Sequence, residues 1–236
     1  MRVLSIVHEP TAGPGVFAEV LDERGADTLT WRPPEDPEPP AALDGLSAIL
    51  AFGGAMHVDQ DERHPWLETE RALLREALAA GIPLLAVCLG SQLLAQAAGA
   101  GVDRSTQPEI GWHEVSLTPD GATDPLLAAL DERFQAFHWH AYEFALPPGA
   151  VALARSDVCL QAFRAGEAAW GIQFHAEVSR ADVLAWIDDA GDDPDAAAAG
   201  IDADALREQT EAAIEAWNET GRALCGRFLD AVATPA

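Results

Sequence analysis

The sequence predicts an α/β fold with a mostly parallel central sheet and a helical C-terminal extension. Three observations predict it. Through the first half of the chain, short apolar runs of strand type alternate with helical patterns, the order that builds a parallel sheet covered by helices on both faces. The chain has 236 residues, of which 49% are hydrophobic, enough for one large core. From Ser179 onward the pattern turns helical again.

The elements follow in order. "VLSIV" (3–7) is a strand of the buried type, and "GPGVFAEVLDERG" is a loop and short helix that ends at Gly25. "DTLTW" is a second strand. "RPPEDPEPPAALDG" is Pro-rich and acidic, so it runs as a surface loop. "LSAILAF" is a third strand, ended by Gly53 and Gly54. "HPWLETERALLREALAAG" is an amphipathic helix with Leu67, Leu73, Leu74 and Leu78 at helical spacing, stopped by Gly81. "IPLLAV" is fully apolar and reads as a central strand, with "LGSQLLAQAAGA" as the helix after it. Beyond Gly101 the runs "IGWHEVSLT", "RFQAFHWH", "AVALARS", "VCLQAFRAG" and "AWGIQFH" are short strands between turns, which add antiparallel strands to the sheet.

The last segment carries Leu206, Ala213, Trp217, Leu224 and Phe228 as one apolar stripe. The expectation is one domain over residues 1–180, with residues 181–236 as a helical extension packed on it. A homodimer contact through that stripe is the alternative.

Composition excludes several functions. The formal charge is −25, and all 14 basic residues are Arg. A surface this acidic repels phosphate backbones, so no nucleic-acid partner is expected. No apolar run approaches the roughly 20 residues of a membrane span. The start "MRVLSIVHEP" lacks the pattern of a signal peptide, so no membrane association and a cytoplasmic location are expected. The three cysteines, Cys88, Cys159 and Cys225, form no disulfide framework and no CxxC pair. Cys159 and Cys225 read as core residues, and Trp112 and Trp170 as packing. His138 and His140 share a face if their run is a strand, yet the sequence offers them no third ligand. No metal and no cofactor are therefore expected.

Cys88 stands between the strand "PLLAV" and a helix, with small Ala86 and Gly90 beside it. That is the sulfur counterpart of a nucleophile elbow, a strained strand-to-helix turn. Such a turn aims the side chain outward at the C-terminal edge of the sheet. The helix start beneath it favours thiolate over thiol and leaves the Leu89 N–H for an oxyanion. A cysteine at a strand end is more often core, so the turn needs a base. "GIQFHAEVS" supplies one in His175, with Glu177 placed to orient it. The loop "AFGGAMHVDQ" offers Gly53 and Gly54 for close backbone approach and N–H donation. His8 and Glu9 end the first strand and could face the site, though a plain strand-end role, solvated like most loops at that edge, is the expectation. His57 is a further candidate for the pocket wall.

These pieces, "FGGAM", "GIPLLAVCLGSQLLA", "EIGWHEVSLT", "FHWHAYEFALPPGA" and "AWGIQFHAEVS", resemble in order the class I (triad-type) glutamine amidotransferases, above all the domain of GMP synthetase and its free-standing relatives. The resemblance covers roughly residues 1 to 180. It implies a flavodoxin-like three-layer sandwich and a catalytic triad of Cys88, His175 and Glu177. It implies an oxyanion hole at Gly53, Gly54 and Leu89. Gln92, His140, Ala141 and Tyr142 would hold the amino-acid head of the substrate. Ala86 stands where the family often has Gly, and Ala55 and Ala176 where it often has Pro. The "HWHAYEF" loop differs from that of the well-known synthetases.

The implied reaction is hydrolysis of a γ-glutamyl amide, glutamine or another, through a γ-glutamyl thioester. Three functions compete. One is an amidotransferase that feeds a separate synthase subunit. The second is a stand-alone γ-glutamyl peptide or amine hydrolase. The third is an inactive regulatory or binding homologue.

Overall fold

The computed structural model describes residues 1–40 and 43–233, so two residues of the Pro-rich loop lie outside the described residues. A nine-stranded sheet runs in the order β2-β1-β3-β4-β9-β8-β7-β5-β6. The first five in that order, β2 (Asp27–Trp31), β1 (Arg2–Ile6), β3 (Ala48–Ala51), β4 (Leu84–Val87) and β9 (Ala169–Ile172), are mutually parallel. The other four, β8 (Leu160–Ala165), β7 (Val151–Arg155), β5 (Val102–Leu117) and β6 (Arg133–Phe144), continue the sheet antiparallel.

Strand side chains alternate between two cores, as the pleat requires. Val3, Leu50, Leu85, Val87, Trp170 and Ile172 face one core. Leu4, Ile6, Ile49, Ala51, Leu84 and Ala86 face the other. The first core is closed by α1 (Val16–Glu23), α4 (Arg180–Asp189) and α6 (Ala203–Ala233). The second is closed by α2 (Trp66–Ala80) and α3 (Leu89–Ala97). This is the three-layer α/β arrangement expected from the sequence. Because both faces are covered, the parallel strands are near-continuous apolar runs, which made them readable.

Three details differ from expectation. Strand β5 begins at Val102 rather than near Ile110, and its polar first half pairs with β6 across a register shift between Arg104 and Glu109. Pairing with a long partner outweighs the poor strand propensity of that half. In α6 it is Ile214 that is buried, while Ala213 is only half-buried. The segment after α4 contains a short helix, α5 (Pro194–Ala199), whose N-terminus is capped by the Asp193 carboxylate with Pro194 at the first helical position. Helix α6 lies against α1 and α4, and Leu206, Ile214, Trp217, Leu224 and Phe228 enter the first core.

Candidate active site

The C-terminal ends of β1, β3, β4 and β9 converge, and the residues just beyond them form one site. At the end of β4 the chain turns sharply into α3. Cys88 adopts φ 50°, ψ −112°, the one positive φ at a non-glycine among the described residues. Such a conformation costs of order 1–3 kcal/mol and persists only where the surroundings enforce it. Here the Cys88 N–H donates to Ile172 O at 2.9 Å and the Gly90 N–H to Phe52 O at 3.0 Å. A Cβ at Gly90 would lie 2.5 Å from Ala51 O, so only glycine lets α3 start this close to β3. The Leu89 N–H opens α3 and therefore has no acceptor within the helix.

His175 lies three residues beyond β9. Its Nδ1 is bonded to Glu177 Oε1 at 2.8 Å, and both side chains are buried. Since the carboxylate accepts, Nδ1 carries the proton and Nε2 is left for the sulfur. Nε2 is buried and makes no hydrogen bond of ordinary geometry. Burial pushes the His175 imidazolium down, but the charges of Glu177 and of the nearby Cys88 sulfur outweigh it and raise its pKa to about 10. The turn is fixed from three sides. Trp217 Nε1–H donates to His175 O at 2.7 Å, the His175 N–H donates to Phe137 O at 2.8 Å, and the Val16 N–H donates to Glu177 O at 2.8 Å. The Trp186 ring meets the His175 ring edge-on at 4.9 Å.

The Gly53-Gly54 loop closes the same site. A Cβ at Gly53 would stand 3.0 Å from His175 Cε1 and 3.6 Å from Cys88 Cβ. Cys88, His175, Gly54 and Leu89 all line one open cavity of about 740 Å³. Gln92, His140, Ala141 and Tyr142 line it too, as does His57. Gln92 Nε2 donates to Gln173 Oε1 at 3.2 Å and, at 3.4 Å, to Tyr142 O. The Tyr142 hydroxyl donates to Asp59 at 2.9 Å, and Arg104 lies over its ring at 5.2 Å. The structure thus gathers every site residue named from the sequence, with Gly53 and Glu177 behind the cavity wall rather than on it.

The pairings of other residues escaped sequence reasoning because the partners are distant in the chain. His8 is fully buried rather than solvated, bonded to Gly53 O at 2.9 Å and to Glu70 at 2.7 Å. The helix-capping Asp193 also accepts from Trp139 Nε1–H at 2.8 Å, bringing α5 to the cavity. Cys159 is buried as expected, yet it joins Glu109 and His140 in a polar cluster that offers three metal-type donors. That cluster is internally hydrogen-bonded. Gln161 Nε2 lies 2.7 Å from Glu109 Oε2 and 3.2 Å from Cys159 Sγ, placing a donor where an ion would need open lone pairs. Cys225 lies in the core and its thiol is pushed up to about 12 by burial.

The family model "Glutamine amidotransferase class-I" matches residues 16–182. The glutamine amidotransferase-like protein YfeJ of Salmonella typhimurium is 33% identical, over 75% of this chain and 76% of its own length. One subunit of the glutamine-hydrolyzing GMP synthase of Halobacterium salinarum is 30% identical, over 66% of this chain and 79% of its own length. A gamma-glutamyl-L-1-hydroxyisopropylamide hydrolase of Pseudomonas sp is 32% identical, over 62% of this chain and 52% of its own. A glutamine amidotransferase from Thermotoga maritima superposes with a TM-score of 0.86 at 30% identity, over 98% of both chains.

Proposed function

The chain belongs to the class-I glutamine amidotransferase family, and we propose that it hydrolyses a γ-glutamyl amide through a Cys88–His175–Glu177 triad. The observation that carries this reading is the placement of His175. It is held by Glu177 on one nitrogen and turned on the other toward the cavity that holds the strained Cys88.

The chemistry follows from the charges. The Cys88 thiolate, stabilised by the His175 imidazolium and the start of α3, adds to the γ-carboxamide carbon. The carbonyl oxygen becomes an oxyanion that accepts from the N–H groups of Leu89 and the Gly53-Gly54 loop, each such donor worth about 2.7–4 kcal/mol. His175 passes its proton to the departing nitrogen, the C–N bond breaks, and ammonia or an amine leaves. A γ-glutamyl thioester remains. His175, now neutral, takes a proton from water as the water attacks, and glutamate leaves with Cys88 restored. Glu177 holds the imidazole in its tautomer and balances its charge throughout. Gln92 and the segment His140-Ala141-Tyr142 face the amino-acid head of the substrate.

A second reading, a stand-alone hydrolase of a larger γ-glutamyl amide, is favoured by the cavity. Its 740 Å³ falls in the range of about 300–1,000 Å³ that holds drug-sized ligands. The Pseudomonas relative carries a name of that kind, whereas the Halobacterium relative is named as one part of a synthase. One experiment separates the readings. Glutamate release is measured from glutamine and from a panel of γ-glutamyl amides, with Cys88→Ala as the control. Cys88→Ala abolishes turnover and leaves the fold intact. Activity retained in that variant sinks the proposal. Turnover of a larger amide by the protein alone favours the hydrolase, and glutamine turnover only with a synthase added favours the amidotransferase.

A further inference from the structure

The turn after β1 holds a buried charged pair that the reaction above does not use. Both ring nitrogens of His8 face oxygen acceptors, Nδ1 at 2.9 Å from Gly53 O and Nε2 at 2.7 Å from Glu70 Oε2. A carbonyl has no proton to give, so Nδ1 carries one. An ionised carboxylate beside Nε2 favours a second proton on the ring, which makes His8 an imidazolium on the reading proposed below. Both side chains are fully buried, and the Trp66 ring stacks on His8 at 5.2 Å. Burial works against the charge on His8, but Glu70 outweighs it and raises its pKa above the ordinary 6.5. The second Glu70 oxygen is buried without a partner. Such a pair is weak evidence for stability, because desolvation offsets most of its attraction. Its position gives it another use.

The Gly53 carbonyl and the Gly54 N–H belong to one peptide unit. No described peptide bond is cis, so that N–H points away from His8. Gly54 lines the cavity that exposes Cys88. A Cβ at Gly54 would stand 2.9 Å from His8 Cβ, so the loop rests directly on the histidine. On the far side Glu9 Oε1 accepts the Ala55 N–H at 3.0 Å. His8 and Glu9 thus grip the loop at the peptide that carries the Gly54 N–H and at the peptide that follows it.

We propose that His8 and Glu70 are positioning residues for the oxyanion hole. The imidazolium, anchored by Glu70, orients and polarises the Gly53-Gly54 peptide so that its N–H meets the oxygen charged by Cys88 addition. The proposal rests on the reading of Cys88 as the nucleophile of an amide hydrolase. A charged donor on the carbonyl strengthens the N–H of the same peptide, as linked hydrogen bonds polarise one another. The benefit grows with negative charge on the oxygen, so it falls on the transition state rather than on substrate binding.

Glu70→Gln keeps the size and lets a neutral His8 go on donating to Gly53 O. It lowers kcat about tenfold, part of the roughly 10²–10³ that a whole oxyanion donor supplies. KM stays within about twofold, the mark of an interaction made only in the transition state. Alkylation of Cys88 by iodoacetamide, which needs no oxyanion hole, keeps its rate. His8→Gln loses a similar factor, and the double variant loses no more than either single one. Nitrogen-15 NMR of the His8 ring shows both nitrogens protonated near neutral pH in the unaltered protein, and one in Glu70→Gln. Unchanged kcat in Glu70→Gln, a neutral His8 ring in the unaltered protein, or slowed alkylation alongside the kcat loss would each overturn the proposal. If the unaltered protein cleaves no γ-glutamyl amide, the nucleophile reading fails and takes the proposal with it, whatever the ring state.

Discussion

His175 shows how little of a buried imidazole's behaviour is its own. A buried imidazole left alone would stay neutral near neutral pH, yet this one is raised to about 10 by the carboxylate and the sulfur beside it. The sign of its effect on stability follows. A histidine whose folded pKa exceeds its unfolded value contributes fully below the unfolded value of 6.5, and the contribution is lost as the pH rises through about 10. Glu177→Gln removes the partner that sustains the shift. Urea unfolding should therefore show a wide stability gap between the unaltered protein and Glu177→Gln below about pH 6, closing above about pH 10.5. A gap that stays constant across that range means Glu177 does not hold the His175 proton. At this scale the sequence was informative where a strand end and a motif coincide, as at Cys88 and His175. It was silent on His8–Glu70 and Glu109–Gln161, whose members lie 62 and 52 positions apart. No local pattern marks such pairs.

Among the elements, α6 does more than cover the sheet. Trp217 is the side chain that ties it to the site, through the 2.7 Å bond to His175 O. Gly221 lets it come close, since a Cβ there would sit 2.0 Å from Ala176 O. Asn218 Nδ2 adds a bond to Val178 O at 2.7 Å. Trp217→Phe keeps the ring but strands a buried carbonyl, at a cost of about 1–3 kcal/mol. The expected outcome is a lower urea midpoint together with lower kcat, because the unpaired carbonyl belongs to His175, the proposed general base. Equal kcat at reduced stability would make α6 a cover only. The helix itself was legible from its apolar stripe, and the parallel strands from their unbroken apolar runs. The polar start of β5 was not, because its strand character comes from β6 and not from its own residues. The same holds for α5, one turn and a half set by an Asp-Pro start inside an acidic stretch.

Over the whole molecule, charge is the dominant property. A net of −25 on 236 residues leaves a large excess of carboxylates over basic groups. Their mutual repulsion opposes the compact state and is screened by salt, with a Debye length of about 10 Å at 0.1 M and 3 Å at 1 M. Thermal unfolding should move upward by several degrees between about 0.05 M and about 1 M sodium chloride. A midpoint that does not move would show that the arginine pairs already balance the surface. Those pairs are mostly exposed, such as Arg24–Asp230 and Arg222–Glu19, and surface pairs of this kind contribute little.

The turn that carries His175 is gripped by residues from opposite ends of the chain, Val16 of the first helix and Trp217 of the last. During synthesis the strand that bears Cys88 leaves the ribosome well before Trp217 does. On the proposed reading, a nascent chain displays the Cys88 thiol before the turn that carries His175 is fixed by α6. Pulsed alkylation of stalled chains of increasing length should then change its rate at Cys88 once Trp217 is able to reach His175 O.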